Sequence, residues 1–180
     1  MKSMIFAMAA AIHLSGALAA PPATPYAGQE TRDIKSLSPE DVQAYLGGKG
    51  MGLAKAAELN GYPGPAHVLE LASRLQLTEE QRTRTQALFE SMEAKAISLG
   101  RALVERERAL DSLFASKAAT PERLSALLAE IGTLQAQVRG AHLEAHVAQV
   151  AILTSAQTAR YAELRGYGGT KAPHGHTHKH

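Results

Sequence analysis

The chain has 180 residues and no cysteine, and its 19 Lys and Arg against 17 Asp and Glu give a formal net charge of +2. Without cysteine there are no disulfides, no thiolate catalysis, no thiolate metal site and no lipidated cysteine, and the near-balanced charge gives no basis for nucleic-acid binding. Aromatic residues make up 4% with no Trp, while Ala, Leu, Glu, Gln and Arg dominate from Val68 to Arg165, a composition that favours helices over a sheet.

Lys2, the apolar run from Met4 to Leu14 and the small-residue stretch Ser15 to Ala20 have the layout of a secretory signal peptide. Cleavage is expected after Ala19 or Ala20, with an uncleaved membrane anchor as the alternative. The chain thus divides into a signal peptide (1–20), a flexible leader (21–37), a helical domain (38–165) and a disordered His-rich tail (166–180).

Ser38 caps a first short helix, with Pro39 at its first position and Glu40 and Asp41 in its first turn, and Gly47-Gly48 ends it. A helical patch from Leu53 to Leu59 follows, bracketed by glycines and prolines. This glycine-rich stretch lacks the GxxxxGK[ST] order that cradles phosphate and reads as a packing turn. A helix over 65–75 comes next. Thr78 and Gln81 then form a capping box that opens a long helix over 79–117. On it Leu88, Met92, Leu99, Leu103, Leu110 and Phe114 recur at helical spacing, one buried stripe on a rod of about 60 Å.

Thr120-Pro121-Glu122 starts the next helix, with Leu124, Leu127, Ile131, Leu134, Val138 and Ala145 on its apolar face, to about Ile152. The link between the two long helices is short enough to require an antiparallel hairpin. A last helix runs from the box at Leu153 through Leu164, stopped by Gly166, Gly168 and Gly169. The fold class is therefore all-α, four to five helices built on a long antiparallel hairpin.

The same pattern, LTxxQ, opens two of these helices: Leu77, Thr78 and Gln81 in one, Leu153, Thr154 and Gln157 in the other. With the hairpin tip at residue 119 the two glutamines are equidistant from it, so the boxes should sit side by side at the open end. Paired LTxxQ boxes flanking a helical hairpin resemble the Spy/CpxP family of periplasmic stress chaperones and heavy-metal sensor and resistance proteins, over roughly residues 38–165. The resemblance implies that the boxes are fold elements, and that the molecule is a cradle-shaped antiparallel homodimer whose concave face meets unfolded polypeptide.

Histidine is the other informative residue type. His174, His176, His178 and His180 alternate along the tail, a spacing that lets several imidazoles converge on one ion. His142 and His146 lie one turn apart on a helix face and can hold an ion or simply flank the core. Counting back from the tip sets His146 opposite Met92 and His142 opposite Ala96, and folding the preceding helix back brings His67, Met92 and Glu93 toward the pair. The segment His142-Leu-Glu-Ala-His146 is not HExxH: Glu144 projects from another face and cannot act as a zincin base. Zn, Ni and Cu are the ions that imidazole favours.

Two functions follow from these features. The first is a periplasmic, ATP-independent chaperone-like protein of envelope or metal stress, whose partners are unfolded envelope proteins or a membrane stress-signalling protein. The second is a heavy-metal binding or sensing protein using helix and tail histidines. No nucleophile elbow or organised carboxylate pair is present, and no enzyme activity is expected.

Overall fold

A computed structural model describes residues 24–167. The signal segment and the tail histidines His174, His176, His178 and His180 lie outside the described residues. Six helices follow one another: α1 (Pro39–Leu46), α2 (Lys55–Glu58), α3 (Pro65–Glu70), α4 (Glu79–Ala115), α5 (Pro121–Val150) and α6 (Ser155–Leu164). No strand occurs among the described residues, and none of their helices is long and apolar enough to cross a membrane. The count exceeds the expected four to five because the patch after Leu53 closes into a helical turn of its own, α2.

Residues 24–30 form a separate unit of successive turns, in which Ala27 N donates to Thr24 O (3.1 Å) and Gln29 N to Tyr26 O (3.0 Å).

Within the main unit, four helices begin on side-chain caps. Ser38, Thr78, Thr120 and Thr154 each accept from the backbone N–H three residues on, satisfying an amide that the helix start leaves unpaired. Three of these caps are reciprocal boxes, closed by Asp41, Gln81 and Gln157.

The 37-residue α4, about 56 Å long, and the 30-residue α5 pack as the hairpin, joined through residues 116–120 with Lys117 at φ +57°. Its register is visible in three crossing pairs: Gln149 to Thr85 (3.1 Å), Glu144 to Lys95 (2.8 Å) and Glu130 to Arg106 (3.3 Å). The first is fully buried and the other two are exposed, so the amide–hydroxyl pair is the one that discriminates against a slipped register. Gln149 Oε1 is already buried there without a partner, and losing the Thr85 bond would leave Nε2 to carry its desolvation cost as well. The exposed ion pairs contribute little.

Apolar burial is split between the two ends. At the open end Val68, Ala72, Leu75, Leu77 and Tyr161 form a core that ties α3 and α6 to the hairpin base. Further along, Leu103, Ile131 and Val138 make the interhelical seam, covered by Tyr45 of α1 and by Leu53. Near the tip this cover ends. Phe114, expected in the buried stripe, is 52% exposed, as is Leu128 at 47%. Two helices alone share one narrow seam, and the apolar residues on its flanks stay in water.

Residues 31–37, read from composition as a flexible leader, lie against α4. Ile34 is 2% exposed, Ser36 Oγ donates to Glu107 Oε2 (2.8 Å), and Lys35 Nζ and Arg108 Nη2 pair with Asp111 (3.0 Å) and Asp33 (3.2 Å).

Candidate metal site at the hairpin base

The two LTxxQ boxes meet as their equal distance from the tip requires. Gln81 Nε2 donates to Gln157 Oε1 (2.8 Å), and Gln157 Nε2 to Gln81 Oε1 (3.0 Å). Each amide also donates to a backbone carbonyl beside the opposite box, Gln81 to Ile152 O (2.9 Å) and Gln157 to Leu75 O (3.2 Å). Each carboxamide oxygen accepts from its own N-cap amide, Thr78 N (3.1 Å) or Thr154 N (2.9 Å). This explains the residue type. A capping box accepts Glu or Gln, but only a carboxamide supplies the donor for the crossing bonds as well as the acceptor for the cap.

About two and three turns further along the hairpin from the second box, α5 carries His146 and His142. His142 is 5% exposed on the core face, and its Nε2 is buried without a hydrogen-bond partner. Burial, and then the neighbouring His146, hold its pKa below the usual imidazole range. The His146 ring is held differently, because its Nδ1 lies 2.7 Å from the carbonyl oxygen of Tyr62. A carbonyl only accepts, so Nδ1 carries the proton and Nε2 keeps its lone pair. The preceding loop permits this contact only because residue 64 is glycine: a Cβ there would stand 2.9 Å from His146 Cε1 and Nε2.

His67, on α3, faces Glu58 of α2. Its Nδ1 is 3.4 Å from Glu58 Oε1 and 3.3 Å from the Tyr161 hydroxyl. Glu58 ties the region together: Oε2 accepts from Gly64 N (3.2 Å) and stands 3.6 Å from His146 Nδ1, while Oε1 accepts from the hydroxyls of Tyr161 and Tyr167. Arg165 Nε is 3.6 Å from the same oxygen, an ion pair without hydrogen-bond geometry. Burial first, and the hydrogen bond to the Glu58 carboxylate second, push the Tyr161 phenol well above its ordinary value, so Tyr161 remains a donor.

Two cavities flank these side chains. One, of about 350 Å³, is lined by His67, Glu70, Met92, Glu93, His142 and His146 among others. The second, of about 370 Å³, is lined by Met51, Lys55, Glu58, His67 and His146. The residues that counting along the hairpin brought together thus border one space. Glu58, Tyr62, Tyr161 and Arg165 were not singled out from the sequence. Tyr161 lies four residues beyond Gln157 on the same helix face, which was the available signal for it.

The donor types suit a borderline cation: two imidazoles, a thioether and carboxylates. The orphaned Nε2 of His142 is the observation that fits an ion best. The Tyr62 carbonyl behind His146 is the kind of outer partner that orients a metal-binding imidazole. No group of three or more His, Asp or Glu that could hold an ion occurs among the described residues.

One consequence concerns protons. His142 is neutral when buried, so below its ordinary pKa the unfolded chain takes up a proton that the folded chain does not. The folded state is favoured above about pH 6.5 and loses stability as pH falls below that. In metal-free protein, urea midpoints measured between pH 7 and 5 should fall, and His142→Leu should fall less steeply, by up to about one proton in the slope. Equal slopes would show that His142 is not the group responsible.

A helical hairpin closed by paired LTxxQ boxes, with histidines beside its open end, defines a class of all-helical stress and metal-resistance proteins. A family model described as heavy-metal resistance matches residues 3–160, and the chain belongs to this Spy/CpxP-like family, whose members are typically exported. No curated protein and no solved structure matches the chain.

Proposed function

We propose that this protein is a non-enzymatic, periplasmic metal-binding protein of heavy-metal stress, taking Zn, Ni or Cu at His142 and His146. The observation that carries the reading is the pair of Nε2 atoms on one face of α5: one buried with no partner, the other freed by the bond from Nδ1 to Tyr62. Met92 and Glu93 border the same cavity from α4. An ion there would bridge both arms of the hairpin beside α3, where a change in occupancy bears on helix packing.

Calorimetric titration with ZnCl2 and NiCl2 tests this. The full chain should bind at micromolar or tighter affinity, and His142→Ala/His146→Ala should weaken binding by at least about tenfold. Unchanged binding in the double variant would sink the metal reading.

A second reading, capture of unfolded polypeptide by a homodimer of such hairpins, is favoured by the uncovered apolar side chains near the tip, Phe114 and Leu128. Here suppression of aggregation of a denatured client should drop in Phe114→Ser/Leu128→Ser while metal binding is kept. Full suppression by that variant would remove the tip from this role.

A further inference from the structure

We infer that Asn60-Gly61 is a self-modification site, at which the chain converts its only asparagine to an aspartyl or isoaspartyl residue with time, and that the isoaspartyl form releases the loop that holds His146. The consequence for ion binding rests on the role proposed for His142 and His146, whereas the modification itself does not.

Asparagine occurs once in the 180 residues, and glycine follows it. The pair lies in an exposed turn just beyond α2, with Gly61 at φ +84°. Three features open it to attack of the Gly61 nitrogen on the Asn60 carboxamide. Residue 61 has no side chain to shield that nitrogen, and nothing lies within 4 Å of where its Cβ would stand. The Gly61 amide has no hydrogen-bond partner among the described residues. The bond that holds the carboxamide away, Asn60 Nδ2 to Ala56 O (2.7 Å), is anchored on a four-residue helix with no buried residue, which opens at little cost.

The Gly61 nitrogen loses its proton to solvent base and bonds to Asn60 Cγ. The Cγ–Nδ2 bond breaks, and ammonia leaves a five-membered succinimide. Water then opens the ring at one of its two carbonyls. Opening at Cγ restores the main chain and leaves an aspartyl side chain. Opening at the backbone carbonyl routes the main chain through Cβ and Cγ, as isoaspartate. Water enters and ammonia leaves, with no change of oxidation state.

The two products differ in what they do to the site, because the turn is short and held at both ends. Tyr62 N donates to Ala57 O (3.1 Å), and Pro63, Gly64 and Pro65 beyond it are buried. Within this stretch the Tyr62 carbonyl stands 2.7 Å from His146 Nδ1, and Gly64 N donates to Glu58 Oε2 (3.2 Å). Isoaspartate lengthens the main chain by a methylene, which the anchored turn takes up by displacing Tyr62. His146 then loses the acceptor that keeps its proton on Nδ1. The aspartyl form leaves the main chain, and with it the Tyr62 contact, as it was.

The test incubates full-length protein at mildly alkaline pH beside Asn60→Gln, whose longer side chain would need a six-membered ring, and Asn60→Asp, which reproduces the aspartyl product. Mass spectrometry of the peptide carrying residue 60 should show the amide exchanged for a carboxyl, faster as pH rises, and no such change in Asn60→Gln. Nitrogen-15 NMR should show His146 protonated on Nδ1 in fresh protein and in Asn60→Asp, and a mixture of tautomers in the isoaspartyl form. Calorimetry with ZnCl2 should show binding about tenfold weaker in the isoaspartyl form, the scale of losing an outer partner of a metal-binding imidazole. An Asn60 that stays intact in the folded protein, or an isoaspartyl form with the His146 tautomer unchanged, would overturn the inference. Fresh protein that binds no zinc would overturn the metal reading instead, and the tautomer would still decide for or against the inference.

Discussion

Gly100→Ala is expected to destabilise the protein by about 1–3 kcal/mol, whereas Gly132→Ala, the same change in the partner helix, should stabilise it by about 0.5–1 kcal/mol. In a helix interior alanine is intrinsically better than glycine by roughly that second amount, because glycine loses more backbone freedom on folding. At Gly132 nothing lies within 4 Å of the added Cβ, and the intrinsic gain is kept. At Gly100 the Cβ would stand 2.2 Å from the carbonyl oxygen of Tyr45 and 2.9 Å from its carbonyl carbon. Both are backbone atoms and cannot swing aside. Relief therefore requires α1 to move off α4, opening the cover that Tyr45 provides over Leu103 and Ile131. Thermal unfolding of the two variants should shift in opposite directions, by several degrees for Gly100→Ala. A shift of the same sign in both would mean that α1 does not sit on Gly100.

The second large effect lies in the glutamine bridge. Gln81→Ala removes both crossing bonds to Gln157, the bond to Ile152 O and the closing bond of its own capping box. At about 1 kcal/mol for each bond, less for those that water can replace, the expected loss is about 2–4 kcal/mol. Gln157→Ala should cost a similar amount. The double variant should cost less than the sum of the two, by about 1–2 kcal/mol, because each single change already breaks the shared bonds. Gln81→Glu separates the two roles. It retains the cap on Thr78 but turns a carboxylate toward Gln157 Oε1 and Ile152 O, so it should lose most of what alanine loses. Urea unfolding of the four proteins decides: additive losses, or a Glu variant as stable as the parent, would reduce the motif to a helix cap.

Much of this was legible in the chain because capping chemistry is local. Ser38, Thr78, Thr120 and Thr154 each announce a helix start within four residues, and equal distances from the tip then place the boxes together without any knowledge of packing. Phe114 shows where such reasoning fails. Periodicity tells which face of a helix is apolar, but not whether another element covers it. The leader is a second case. Ser36 and Lys35 find partners on α4 more than 70 residues away and Ile34 is buried, and a segment with no internal periodicity gives no sign of that. Glu58 is the third. It sits on a four-residue helix that reads as a turn, and its importance comes from four other segments converging on one carboxylate. The histidines were found because their residue type is rare and their spacing helical. The proton on His146 Nδ1 could be assigned only once the Tyr62 carbonyl was seen beside it.

The glutamine bridge has a consequence for how such molecules can change in length. The hairpin is a closed ring, joined covalently at the tip and by the reciprocal amides at the base. Adding two turns to one arm alone would carry its box past the other and break the clasp, while the same addition in both arms would leave every bond at the base in place. Arm length is thus free to drift only in matched steps. Relatives with longer or shorter arms should carry insertions in pairs, symmetric about the turn, with the two boxes still side by side.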